Sequence, residues 1–256
     1  MKSTGNSLKP EINNKSVRCA EGKDLAAIED FIDRHEGTSL YHRYRWCSVI
    51  RNRFSHETHY LICAEEGPKI LGILPLVHMN SVLFGNLMIS MPYFNYGGVC
   101  AVDKDTRNLL IGEAVRLARG KGVGHIEFRQ EMKLDNGFPE KTRKASMRLP
   151  LPGSADDLWK SLPSKLRSQV RKPMKEGLTA RIGRHDEVGN FYRIFSINMR
   201  DLGTPVYPKN FFIDILDNFH ANSWICTVSK GGVPMASGFL LGFKDKLEIP
   251  WASSIR

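Results

Sequence analysis

The chain has no apolar run long enough to cross a membrane. Its most apolar stretch, Ile70 to Phe94, is broken by Pro75, His78, Asn80, Gly85, Asn86 and Pro92. A spanning helix needs roughly 18 or more uninterrupted apolar residues, so the stretch reads as several buried strands. Cysteine is scarce and unpaired: Cys19, Cys47, Cys63, Cys100 and Cys226 are odd in number, scattered and without metal-ligand spacing. That excludes a disulfide framework and suggests reduced thiols in a cytoplasmic protein. No apolar leader opens the chain, because Met1 to Lys23 is polar and mixed in charge. A Walker-type phosphate loop, a Rossmann fingerprint and a Gly-x-Ser-x-Gly elbow are all missing, and no cysteine has an evident histidine partner. Nothing therefore points to a covalent nucleophile. His56-Glu57-Thr58-His59 carries two histidines three apart, which is not the metalloprotease spacing, and reads as a polar loop before a strand with no metal.

What is present is an ordinary globular composition, 41% hydrophobic and 25% charged over 256 residues. That length holds one large domain or two of common size. The formal charge is +10, and its location matters more than its size. Between Lys160 and Arg184, eight basic residues face Glu176 alone, so this segment carries +7. Charge this concentrated implies an anionic partner.

Hydrophobic periodicity predicts a helix over Asp24 to His35, with Leu25, Ile28, Phe31 and Ile32 on one face, and a second through Leu40 to Ile50. Strands follow at Tyr60 to Ala64 and Ile70 to His78, joined by the hairpin signal Glu65-Glu66-Gly67-Pro68-Lys69. Asn86 to Met91 and Gly98 to Val102 read as strand pieces around an aromatic kink. A helix is expected over Asp105 to Arg119 with Asp105 as cap, then strands at His125 to Arg129 and Ala145 to Leu151. Pro150-Leu151-Pro152-Gly153-Ser154 is the best boundary, giving domains 20–151 and 154–256.

The second half restarts in the same order: helices at Asp156 to Lys172, Asp186 to Met199 and Lys209 to Phe219, then a hairpin from Trp224 to Phe243. Leu61-Ile62-Cys63 and Trp224-Ile225-Cys226 open the two hairpins. Two related α/β units are therefore expected. After Phe243 little chain is left for the second unit, so a last strand and its covering helix are expected to be missing, as in a truncated product. On that expectation Ile249 and Trp251 share one face against solvent, and the first unit is the more stable.

Four segments carry possible chemistry. Leu158, Leu162, Leu166 and Val170 form an apolar stripe, with Lys165, Arg167, Arg171 and Lys172 beside and behind it. Ser161 is a plausible cap, Pro163 suits a first turn, and Pro173 stops or kinks the end. The helix is either an amphipathic element with a solvated basic face or a phosphate clamp, Arg167 and Arg171 being i,i+4 neighbours. It also suits tRNA or anionic lipid. Arg119-Gly120-Lys121-Gly122-Val123-Gly124 matches an acyl-CoA pyrophosphate loop in letters only. A helix precedes it and a strand follows, so it reads as a helix C-cap and turn. In Met91-Pro92-Tyr93-Phe94-Asn95-Tyr96-Gly97-Gly98, three aromatics and Asn95 precede a Gly pair. This is either a bulge between core strands or a substrate wall with Asn95 and Tyr96 as its polar groups. Asn198-Met199-Arg200-Asp201-Leu202-Gly203-Thr204-Pro205-Val206-Tyr207-Pro208 sits where an apolar helix pattern stops. It is either a helix end with its connector or a stiff binding loop.

Together these segments, with Leu74-Pro75-Leu76-Val77, Leu162-Pro163-Ser164-Lys165 through Lys172, and Pro250-Trp251-Ala252-Ser253-Ser254, resemble the FemAB-related proteins associated with the bacterial PEP-CTERM/exosortase system. The resemblance runs from about residue 20 onward. It implies an α/β (α+β) fold of two tandem GNAT-like acyl-CoA N-acyltransferase domains, the second incomplete. It further implies N-acyltransferase activity in cell-surface or exopolysaccharide metabolism, with activity in doubt for a shortened chain. The donor is then acyl-CoA or aminoacyl-tRNA, with no bound cofactor and no metal. The acceptor is a small molecule or a glycan- or nucleotide-linked amine, with tRNA a possible partner. Asp201 is the candidate base and Tyr96 a donor to a carbonyl or leaving group. Tyr93, Asn95, Lys165, Arg167, Arg171, Asn198, Arg200 and Thr204 are candidate substrate contacts. The competing reading is a non-catalytic module whose basic helix holds an anionic polymer, nucleic acid or membrane surface.

Overall fold

The computed structural model describes residues 15–65, 69–81, 85–135, 137–142 and 145–255. Contacts divide the chain into two compact units, Met1–Lys133 and Leu134–Arg256.

The first unit runs β1 (Ser16–Cys19), α1 (Leu25–Arg34), α2 (Arg45–Phe54), β2 (Glu57–Ala64), β3 (Ile70–Ser81), β4 (Gly85–Ile89), β5 (Cys100–Ala101), α3 (Lys104–Gly120) and β6 (His125–Glu127). Its sheet has the order β1-β2-β3-β4-β6, and β5 also pairs with β3. All pairings are antiparallel except β4 with β6. β3 lies at the centre of the sheet, buried from Ile70 to Val77. α1 lays Ile28, Phe31 and Ile32 into the core and α3 adds Leu110, Ile111 and Ala114. Both helices follow the 3.6-residue period that puts such positions on one face.

The second unit runs α4 (Ala155–Ser161), α5 (Ser164–Lys175), β7 (Leu178–Gly183), α6 (Val188–Asp201), α7 (Lys209–Asn218), β8 (Ser223–Lys230), β9 (Val233–Phe243) and β10 (Lys246–Ser254). Its antiparallel sheet has the order β10-β9-β8-β7. The two units repeat one plan, β1-α1-α2-β2-β3-β4 and β7-α6-α7-β8-β9-β10, with matching strand order. Phe191, Phe212, Phe239 and Trp251 form the second core. Phe212 meets Trp251 edge-on at 5.2 Å and Phe191 at 4.8 Å, the offset geometry that aromatic quadrupoles favour.

Several expectations are corrected. The helix expected from Asp156 to Lys172 is two, broken at Leu162-Pro163. Ser154, not Ser161, caps α4 by accepting from Asp157 N, and Ser161 bonds back to Leu158 O. Pro173 lies inside α5 without ending it, because it stands in the last turn, where a lost donor costs one bond. Asp103, not Asp105, caps α3, accepting from Thr106 N at 2.7 Å. Glu57 to His59 belong to β2 and not to a loop. Leu40 to His42 is a separate 3-10 turn before α2. The stretch 145–151 is not a strand: its alternating Met147, Leu149 and Leu151 are exposed and have no sheet to face. Ile249 and Trp251 do not share a fate, since a bulge between Glu248 and Trp251 shifts the register. Trp251 is buried against the ring cluster while Ile249 is exposed. Residues 66–68 of the expected hairpin turn, and Arg256, lie outside the described residues.

Candidate functional site

The strand beside β3 is interrupted. β4 pairs with β3 through Val77 to Ser81 and β5 pairs through Gly72 and Ile73. Between them the chain leaves the sheet from Ser90 to Val99, so Leu74, Pro75 and Leu76 have a strand partner only on the β2 side. This detour carries the aromatic-Gly segment. Met91 (φ 51°) and Tyr93 (φ 78°) both lie in the left-handed region, which costs a non-glycine residue free energy and persists only where the surroundings enforce it.

The enforcement is visible. Phe94 is buried, stacked on Tyr41 at 4.5 Å and tilted against Trp46 at 4.6 Å. Arg129 donates from Nη1 to Phe94 O and from its backbone N to Ser90 Oγ. His42 Nε2 lies 3.0 Å from Gly98 O, and Gln130 Nε2 donates to Val99 O at 3.1 Å. A Cβ on Gly98 would come within 2.5 Å of the Gln130 carboxamide, and one on Gly97 (φ 122°) within 2.6 Å of Met91. The Gly pair therefore permits close approach, as the sequence suggests. Tyr93 stacks on Phe54 at 4.3 Å and its hydroxyl lies 2.8 Å from His56 Nε2. Burial, and then the nearby charge of His78, pushes the His56 ring to a lower pKa. Asn95 is exposed and Tyr96 half-buried, and neither side chain has a protein partner among the described residues. His56 was legible only as a polar loop residue, because its partner lies far away in sequence.

In the second unit, Asn198, Arg200 and Asp201 form the last turn of α6, so the loop begins at Leu202, later than the sequence implies. Gly203 (φ 64°) and Thr204 close the helix, their N–H groups donating to Arg200 O and Met199 O. Arg200 Nη2 meets Asp201 Oδ1 at 2.9 Å, with both side chains substantially exposed. Asn198 Nδ2 donates to Ser253 Oγ on β10 at 3.1 Å. Lys165, Arg167 and Arg171 lie on α5, which packs on β7. The structure thus brings Tyr93, Asn95 and Tyr96 together on one detour. It separates the basic helix from the Arg200–Asp201 turn, which are associated with opposite edges of the second sheet, roughly 14 Å of strand spacing apart.

A polar cluster closes the outer end of β2 and β3. Glu57 receives Lys121 Nζ at 2.9 Å and lies 3.1 Å from His78 Nδ1, and these two hold its carboxyl down to about 2. His59 Nε2 is 3.3 Å from Glu57 but off hydrogen-bonding geometry, and burial lowers its pKa. Among the described residues, no group of three or more His, Cys, Asp or Glu side chains is arranged to hold a metal. An open groove of about 610 Å³ lies between β1 and α3, lined by Val17, Leu109, Gly112, Glu113 and Arg116 among others. Its Glu113 and Arg116 are bonded to each other, and Asp105 and Asn108 also line it. Arg119 to Gly124 is the helix end and turn that its order implies, with Gly122 at φ 64°.

No protein-family model and no curated protein matches the chain. Among solved structures it is similar to the crystal structure of FemX, at 12% identity over 93% of this chain and 80% of that one, with a TM-score of 0.62. It also matches the C-terminal domain of a putative lysylphosphatidylglycerol synthetase from Agrobacterium fabrum, at 12% identity over 91% and 68% with a TM-score of 0.47. A probable acetyltransferase matches at 17% identity over 54% and 99% with a TM-score of 0.36. The first likeness alone is close enough to carry a conclusion, and it is one of fold: the chain, with its two α+β units, has a fold similar to that of the FemX structure.

Proposed function

We propose that this protein transfers an acyl or aminoacyl group to the amine of a small-molecule, glycan- or nucleotide-linked acceptor. The observation that supports it most is the detour at 90–99. There a sheet of the FemX fold is opened at mid-length, and unpartnered polar groups are held by a buried frame. The motif resemblance to FemAB-related proteins of the PEP-CTERM/exosortase system adds the reaction class and a role in surface-polymer modification.

The chemistry asks little of the protein beyond placement. The amine nitrogen attacks the carbonyl carbon, and the tetrahedral adduct then collapses, expelling the thiolate of an acyl-CoA or the ribose oxygen of an aminoacyl-tRNA. One proton must leave the attacking nitrogen. Orientation and a donor to the developing oxyanion supply most of the acceleration, and a carboxylate within reach removes the proton. Tyr96 is assigned the donor role, with Asn95 and Tyr93 lining the acceptor. Asp201 is assigned the base, oriented by Arg200, with Asn198 and Thr204 beside it.

Purified full chain incubated with an acyl-CoA or an aminoacyl-tRNA and a panel of amine acceptors, read by mass spectrometry, tests the reading. Tyr96→Phe and Asp201→Asn are each expected to lower kcat/KM by about 10²-fold or more. Absence of transfer from either donor class sinks the proposal. Transfer that survives Asp201→Asn unchanged removes the base assignment alone.

A further inference from the structure

We propose that helix α5, braced by α4, is a docking element that lies on the surface of an anionic phospholipid bilayer. Neither helix has a buried residue, which is unusual for elements attached to a packed sheet. On α5, Leu166, Val170 and Met174 are 40%, 42% and 66% exposed. At about 100° per residue these three and Pro173 occupy one arc of about 100°. Arg167 borders that arc on one side with Arg171 next beyond it, Lys165 lies round on the other side, and Lys172 and Lys175 face the back. Among the described residues none of these five cations has a carboxylate within ion-pairing distance, whereas Arg181 on β7 is paired with Asp186 and Glu187. Arg171 lies over the Trp159 ring of α4 at 5.1 Å, a cation–π contact that ties the two helices together without neutralising the charge.

Charge alone fits any phosphate-bearing partner, and the apolar arc decides among them. A nucleic acid gains from cations and from stacking aromatics, but gains nothing from an exposed Leu, Val and Met. A bilayer interface uses both halves of the helix. The arc enters the boundary between headgroups and acyl chains, and the long stems of Arg167, Arg171 and Lys165 beside it carry their charges up to the phosphates. No described helix is long and apolar enough to cross a membrane, so the contact lies along the surface. With one short helix it is reversible.

Flotation of the full chain with vesicles tests this. It is expected to float with vesicles of phosphatidylglycerol and phosphatidylcholine in equal parts, and to stay behind with phosphatidylcholine alone. The triple variant Lys165→Gln, Arg171→Gln, Lys172→Gln should lose about a hundredfold in partitioning, since each cation near an anionic surface contributes about fivefold. The decisive variant is Leu166→Gln with Val170→Gln, which keeps every charge and should lose about tenfold. Among the described residues Lys165 and Lys172 have no hydrogen-bond or ion-pair partner, Arg171 rests on Trp159, and Leu166 and Val170 are less than half exposed, so thermal unfolding of each variant beside the parent serves as the folding control. Equal flotation with both vesicle types, no flotation at all, or full binding by the Leu166/Val170 variant would each overturn the proposal. So would displacement from vesicles by folded RNA at equal phosphate, which would reassign the helix to nucleic acid.

Discussion

His42 is buried, and its Nδ1 accepts from the Ser39 N–H at 2.9 Å, which leaves the ring proton on Nε2 to donate to Gly98 O. One tautomer thus joins the turn before α2 to the Gly pair of the detour, and that coupling was invisible in a sequence where the two lie far apart. Asp24 works in the same way at the other end of the unit. It is 7% exposed, accepts two bonds from Arg18 at 2.6 and 2.7 Å and one from Glu21 N at 2.8 Å. The Arg18 bonds, opposed by burial, hold its carboxyl at about 2, below its ordinary 3.8. A depressed carboxylate stabilises the fold fully above the unfolded value and loses that contribution as pH falls towards the folded one. The first unit should therefore lose stability between about pH 4 and pH 2. Asp24→Asn should flatten that part of a stability–pH curve and cost about 1–3 kcal/mol at neutral pH. An unchanged acid limb in chemical denaturation would show that Asp24 does not drive it.

At the scale of elements, the legible parts were those with a full apolar face. α1, α6 and α7 were placed to within a few residues because Phe31, Phe191 and Phe212 recur with their neighbours at helical spacing. β1 and β7 were missed because they are short strands at sheet edges, with burial too mixed to show an alternating pattern. The stretch 145–151 misled for the opposite reason, having alternation without a sheet. The break between α4 and α5 was hidden because the four-residue leucine spacing runs straight through it. Trp251 illustrates how a bulge resets a strand. One extra residue on β10 turns the indole inward opposite Phe239, where it also meets Phe211 and Phe212. Trp251→Ala should cost about 3–5 kcal/mol in the second unit, the usual penalty for emptying a buried aromatic site. Urea unfolding followed by fluorescence and circular dichroism measures it, and a loss below about 1 kcal/mol would mean the indole is not part of that core.

The whole molecule is one plan used twice, and each copy has its own core. Folding units with separate cores respond to substitutions independently when the sites share no partner. Asp24→Asn should therefore lower protection of β2 and β3 amides in hydrogen exchange and leave β8 and β9 unchanged. Trp251→Ala should do the reverse. Loss of protection in both sheets from either single change would show one cooperative block in place of two. The repetition was readable in the sequence as an order of elements. The candidate site was readable only as separate segments, since nothing in a linear chain says that β4 and β5 occupy the same position beside β3.

That shared position has a consequence for how the protein can change. The detour leaves one strand slot and returns to it, so β3 fixes both of its feet while its crest answers to no ladder. Residues at the crest, Asn95 above all, can be exchanged without shifting any register. The feet cannot, because Gly98 and Phe94 are wedged against Gln130, Tyr41 and Trp46. Diversity in what such a chain accepts would thus collect in a few crest letters, much as an antibody framework confines its variation to loop tips. A library randomised at residue 95 alone, with Tyr96 kept, should keep the fold and sort by ligand.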